Sequence, residues 1–194
     1  MLKKEDRRKL KSRKDINNAF LDLLQEKGIS GVTVFNITKR ANINRSTFYL
    51  HYKDKYDLFE QYVENLLNEM FSTIEPLKPI EKGESESQNR MQNLFNHFQN
   101  NADFYQAMFN YKGGAYFYNE FLRNIKRFFQ QKTDGFFIRS QSQDTNQQIS
   151  SDFLIYGFFG VINHWFKNGM NESNRVMGEE LEALIEHMSK YRYY

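Results

Sequence analysis

Only two prolines stand in the 194 residues, Pro76 and Pro79, and they lie three apart. Proline fixes φ and removes a backbone N–H, so it ends or kinks helices. Its confinement to one spot leaves long stretches on either side open to uninterrupted helix. Apolar residues in those stretches recur at helical spacing. Ile16, Ala19, Phe20, Leu23 and Leu24 form one stripe at i, i+3, i+4, i+7 and i+8, which predicts an amphipathic helix from about Arg8 to Lys27. Gly28 follows where a left-handed terminating residue is expected.

The next elements are shorter. Thr33 can cap a helix from about Val34 to Ala41, its hydroxyl accepting an orphan N–H. Asn42-Ile43-Asn44 reads as a turn, and Asn44 can cap a third helix from about Arg45 to His51. Asp54, with Asp57 three residues on, opens a fourth helix in a capping-box-like pair. There Leu58, Phe59, Tyr62, Val63, Leu66, Leu67, Met70 and Phe71 repeat every three to four residues. Residues 76–88 (PLKPIEKGESESQ) read as a linker. Further helices are expected near 88–101, 103–111, 115–132, 147–168 and 174–191, with a polar loop over Ser140–Gln148. The fold class expected is therefore all-α. Residues 1–55 and 56–194 are expected to form two helical domains, joined by the helix over about 54–75.

Charge is unevenly spread. Residues 1–55 hold 14 Lys/Arg against 6 Asp/Glu, a surplus of eight, and the remainder holds 13 against 18, a deficit of five. A basic end on an acidic body is the footprint of a phosphate-binding terminus, although a solvated basic tail has the same composition. Cysteine is absent, which removes disulfides, thiolate metal sites and a cysteine nucleophile. His51, His97, His164 and His187 are far apart, so no metal site is expected. No phosphate-binding glycine loop, nucleophile elbow or paired-carboxylate signature occurs, so no catalytic residue, cofactor or enzyme activity is expected. The charged N-terminus is unlike a secretory signal. No apolar run reaches the roughly 18 residues of a membrane span, and the chain is read as cytoplasmic.

Residues 33–52 carry the chemistry. A support helix, a tight turn and a second helix bearing Arg45, Ser46, Thr47, Tyr49, His51 and Tyr52 have the layout of a helix-turn-helix, whose recognition helix enters the major groove. Arg45 can fork onto guanine O6 and N7. Ser46 and Thr47 permit close approach, and Thr47 can touch a thymine methyl. Tyr49, His51 and Tyr52 can donate to phosphate, while Thr33 and Lys55 lie at helix N-termini where amides favour it; Asn44, heading the second helix, completes the expected DNA-binding set. Three short polar helices also occur in proteins that never meet DNA.

Taken as an ordered set, Thr33 to Phe59 (TVFNITKRANINRSTFYLHYKDKYDLF) resembles the DNA-binding signature of the TetR family of bacterial transcriptional regulators. Ala41, Thr47, Phe48, Tyr49, Tyr52, Lys55 and Leu58 stand at the matching places. Asn42 replaces the usual turn glycine, which Asn tolerates at positive φ, and Ser46 replaces a common glycine. Tyr156 to Met170 resembles the C-terminal domain of a Firmicutes-type branch. The resemblance implies a dimeric regulator, in the main a repressor, that binds a palindromic double-stranded operator and is released by a small effector.

Two further expectations concern the C-terminal region. The helix over 147–168 is apolar on more than one side, which implies burial on more than one side. One face would then be covered by a partner subunit, through Phe153, Gly157, Gly160, Val161 and His164, with Met177, Leu181, Leu184, Ile185 and Met188 from the last helix. A position at the centre of one monomer is the alternative. Phe95, Phe98, Phe104, Tyr105, Met108, Phe109, Phe117, Tyr118 and Phe121 are an aromatic supply suited to a lipophilic or aromatic effector, and equally suited to plain core.

Overall fold

In the computed structural model, residues 4–73, 85–110, 114–132 and 147–190 are described. Every regular element among them is an α-helix. In chain order these are α1 (Lys4–Gly31), α2 (Val34–Arg40), α3 (Arg45–Tyr49), α4 (Lys55–Ser72), α5 (Ser85–Asn100), α6 (Ala102–Phe109), α7 (Gly114–Lys132), α8 (Gln147–Lys167) and α9 (Asn174–Lys190). The expected helices match these within a few residues. Most of the expected linker and polar loop lies outside the described residues, but Ser85 to Gln88 and Gln147–Gln148 are helical.

The helix ends follow from local chemistry. Within α1 the helical backbone breaks at Gly28, at φ 64° and ψ 175°, a conformation closed to residues with a side chain. Thr33 Oγ1 accepts the Asn36 N–H at 3.1 Å, as a capping residue should. At the far end of α2, Ile43 N–H donates to Thr38 O and Asn42 N–H to Lys39 O. Asn42 carries φ 52°, so the turn is a Schellman motif with asparagine in the left-handed position. The Asp54 carboxylate accepts the N–H groups of Tyr56 and Asp57 at 2.8 and 2.9 Å. Asp57 in turn accepts the N–H of Lys53. Although burial opposes it, those bonds and the Gln61 amide hold the Asp57 carboxyl below its ordinary range. The reciprocal pairing is thus present, one residue further out than the standard box.

Internal contacts divide the chain into two compact units. The first comprises residues 1–66 with 103–124, so α1–α3 and most of α4 share a unit with α6 and the first half of α7. Its core contains Ile16, Phe20, Leu24, Ile37, Phe48, Phe59, Phe104 and Phe121, all at most 1% exposed. The second unit comprises residues 67–102 with 125–194. There α5 and α9 pack closely: a Cβ on Gly178 would lie 2.8 Å from the backbone nitrogen of Gln92. The Asn174 amide donates to Asn96 and Gln99, and Phe95 meets Trp165 edge to face at 5.3 Å.

Helix α8 is divided lengthwise. Ile155, Phe159, Ile162, Trp165 and Phe166 are buried. Ile149, Phe153 and Tyr156 are 66%, 65% and 48% exposed, Gly157, Gly160 and His164 are also exposed, and a Cβ on either glycine would meet nothing within 4 Å. No helix among the described residues is long and apolar enough to cross a membrane.

Candidate DNA-binding face

The backbone amides of Leu50, His51 and Tyr52 bond back to Ser46 and Phe48, so the α3 turn continues past Tyr49. At about 100° per residue, Arg45, Tyr49, Ser46 and Leu50 then occupy one arc and Thr47, His51, Phe48 and Tyr52 the opposite one. Burial follows the same division. Arg45, Ser46, Tyr49 and Leu50 are exposed, Phe48 and Tyr52 are buried, and Thr47 and His51 lie between.

The inward arc is held by α1. Tyr52 is 2% exposed; its hydroxyl donates to Asn17 Oδ1 at 2.9 Å and accepts from Arg13 Nε at 3.3 Å. The Arg13 guanidinium also reaches Gln61 Oε1 on α4 at 3.4 Å. His51 Nε2 lies 2.7 Å from Ser12 Oγ. Burial, with the nearby Arg13 and Lys9 charges, lowers the imidazole's pKa and favours its neutral form. Tyr52 and His51, expected as phosphate donors, both turn their polar atoms towards α1 and so tie the short helix to it. Ser12, Arg13 and Asn17 were missed as positioning residues. A signal existed, since Ser12 and Arg13 lie four and three residues before Ile16, in line with the buried stripe.

Lys55 is likewise engaged within the fold. Its ammonium donates to the carbonyls of Ile29 and Val32 at 3.1 and 3.0 Å, tying the start of α4 to the connection after Gly28. Those carbonyls, rather than a phosphate, take two of its three donors.

The outward arc is differently composed. The Arg45 guanidinium donates to the Tyr49 hydroxyl at 3.3 Å and lies 5.7 Å from its ring centroid, so the two side chains form one unit. Ser46 beside them is small and exposed. Asn44 has the backbone of an N-cap but makes no side-chain cap bond. Its carbonyl instead accepts the N–H groups of Thr47 and Phe48, and its carboxamide stands exposed at the head of the helix. Thr33 is exposed at the head of α2.

The remaining expected site residues separate. Of the aromatic set, Phe104, Tyr105, Met108, Phe109 and Phe121 are buried in the first unit, with Phe104 and Tyr105 each 5.9 Å from Phe121; Tyr118 is partly exposed there. Phe95 and Phe98 are fully buried in the second unit. The side chain of Phe117 lies outside the described residues. These rings fill the cores of two units rather than gathering within one. Of the expected subunit contacts, Phe153, Gly157, Gly160 and His164 are exposed, Val161 and Met177 partly so, and Leu184 is 48% exposed. Leu181 is 6% exposed within the protomer itself, on the side of α9 that Gly178 turns to α5. The side chains of Ile185 and Met188 lie outside the described residues.

A capped support helix, a left-handed turn and a second helix with one exposed outward arc have the layout of a helix-turn-helix. The family described as "Bacterial regulatory proteins, tetR family" matches residues 17–62, and "Transcriptional regulator C-terminal region" matches residues 85–187. The chain belongs to the TetR family of transcriptional regulators, a family of regulators rather than enzymes.

Over 63 residues, 32% of the chain, it is 41% identical to an uncharacterized HTH-type transcriptional regulator, YxbF, of Bacillus subtilis. Over 55 residues, 28% of the chain, it is 40% identical to the biofilm operon icaADBC HTH-type negative transcriptional regulator IcaR of Staphylococcus epidermidis. These matches span only 17% and 29% of the two relatives' lengths. The fold extends further. A TetR transcriptional regulator from Streptococcus agalactiae superposes with a TM-score of 0.65 at 21% identity, over 93% of this chain and 97% of that one.

Proposed function

We propose that the chain is a cytoplasmic repressor that binds a palindromic DNA operator as a homodimer and leaves it when a small lipophilic or aromatic effector binds. The observation that carries the reading is the clean division of α3. The side chains of its outward arc are exposed, Arg45 and Tyr49 paired with each other and the Tyr49 ring resting edge-on against Phe48, while the inward arc anchors the helix to α1. Arg45 presents a guanidinium already oriented by Tyr49 and suited to guanine O6 and N7. Ser46 allows the backbone to come close. Asn44 and Thr33 offer polar groups at the two helix heads. Repression is the role named for the Staphylococcus epidermidis relative, which shares this region.

The dimer rests on α8. An outward stripe of Ile149, Phe153, Tyr156 and two glycines is apolar surface that a partner helix can cover at short range. Two recognition helices then address half-sites about one helical turn apart. The effector reading rests on the aromatic cluster within the first unit, Phe104, Tyr105, Phe109 and Phe121, and release requires its binding to alter the separation of the two recognition helices.

Selection of duplexes from a random pool, followed by mobility shifts and sedimentation, tests the whole. A dimer on a palindrome is expected. Arg45→Ala should cost about 1–3 kcal/mol at one base pair per half-site. If Arg45→Ala binds and discriminates as the parent does, the outward arc is not the reading surface.

A further inference from the structure

We infer that Leu50 is a specificity-determining residue whose isobutyl group reads a thymine methyl in the major groove. The inference rests on the DNA-binding reading of α3 given above. Leu50 is 76% exposed, the highest value among the exposed large apolar side chains described. It follows Tyr49 directly and, by helical periodicity, lies next to Ser46 on the outward arc, on the side away from Arg45. The apolar residues of the inward arc are all covered, Phe48 at 0% and Tyr52 at 2% exposure, so packing inside the unit accounts for them and not for Leu50. Its N–H is satisfied by Ser46 and Phe48 carbonyls, and no part of the fold needs its side chain.

The chemistry selects the occupant. A leucine cannot donate to phosphate, so the sequence-independent contacts that fix a protein on DNA cannot use it. Of the four major-groove patterns, only thymine offers an apolar group, its C5 methyl. An aliphatic side chain continuous with a guanidinium and a small hydroxyl on one arc therefore gives two kinds of readout: hydrogen bonding at one step and methyl contact at a neighbouring one. Small Ser46 between them lets the helix approach closely enough for both.

The test uses the full chain and duplexes it selects from a random pool. Each thymine of the selected site is replaced singly by deoxyuridine, which removes only the methyl. One thymine per half-site should show about fourfold weaker binding by the parent, the worth of one buried methyl-sized group. Leu50→Ala should bind more weakly and be indifferent to uracil at that position while keeping the parent's response elsewhere. Leu50→Gln should shift preference at that pair towards adenine, with which an amide pairs bidentately. Circular dichroism melting should be unchanged in both variants, since Leu50 contributes nothing to the core. A uracil profile in Leu50→Ala identical to the parent's, or a parent insensitive to every thymine methyl, overturns the inference while leaving the DNA reading intact. A parent that selects no sequence at all removes the DNA reading itself, and this inference with it.

Discussion

On α3 the outward arc carries a guanidinium, two hydroxyls and one isobutyl group; on α8 it carries two aromatic rings, an isoleucine, two bare glycine backbones and, towards its end, the His164 imidazole. Both helices bury the opposite side in their own unit. The difference lies in what would cover the exposed side. Hydrogen-bonding groups on α3 lose nothing in water and gain only from a partner with matching donors and acceptors, such as base edges. Apolar groups on α8 gain from any dry contact, and the glycines set how near a second helix can come. Exposure alone thus says little until the chemistry of the exposed arc is read.

The largest expected effect falls on α8. Phe153→Glu would bury an unpaired carboxylate in the proposed subunit contact and weaken self-association by about 3–5 kcal/mol. Sedimentation should then find monomers at micromolar concentration, and operator binding should collapse although α3 is untouched. A variant that remains a dimer moves the interface elsewhere and breaks the comparison.

Acid should separate the units next. Each holds a histidine that folding keeps neutral. In the second unit, burial takes the His97 imidazole down to about 4 from an ordinary value of 6.5. The unfolded chain therefore takes up a proton first, and stability falls as pH drops from 6.5 towards 4. The loss is about 2 kcal/mol by pH 5. Denaturant titrations at pH 7 and 5 should record it in the parent, and His97→Phe should remove most of the pH dependence. In the first unit His51 is lowered too, but it is only partly covered and retains Ser12 as a neighbour.

Lys55→Ala gives the smallest of these effects and the sharpest contrast with a phosphate contact. Loss of its two bonds to the Ile29 and Val32 carbonyls should lower stability by about 1–2 kcal/mol. The salt dependence of DNA binding should stay near the parent's, whereas loss of a phosphate contact would reduce its slope by about one. A reduced slope with unchanged stability would return Lys55 to the DNA face.

The helices themselves were largely legible in the sequence. Proline confinement, apolar periodicity and the residues at Thr33, Asn42 and Asp54 encode helix type and ends locally, and local chemistry decides them. The direction of individual polar side chains was not. Tyr52, His51 and Lys55 have donors suited to phosphate, and nothing in their type distinguishes that use from an internal bond to Asn17, Ser12 or a carbonyl after Gly28. Those partners lie 23 to 39 residues away along the chain, so the choice depends on tertiary arrangement. The aromatic set was ambiguous for the same reason: a run of rings over α5–α7 does not state which unit each ring joins. Leu50 has neither donor nor acceptor, so a search for groups suited to phosphate or base edges does not reach it.

The near-contact of Gly178 with the backbone of Gln92 has a mechanical consequence. Most packed helices are separated by a layer of side chains that can change rotamer and absorb a small displacement of either one. Here there is no such cushion at the crossing, and the Asn174 amide fastens the start of α9 to Asn96 and Gln99. A shift of α5 against α9 at this crossing therefore meets backbone at once, with no rotamer available to take it up.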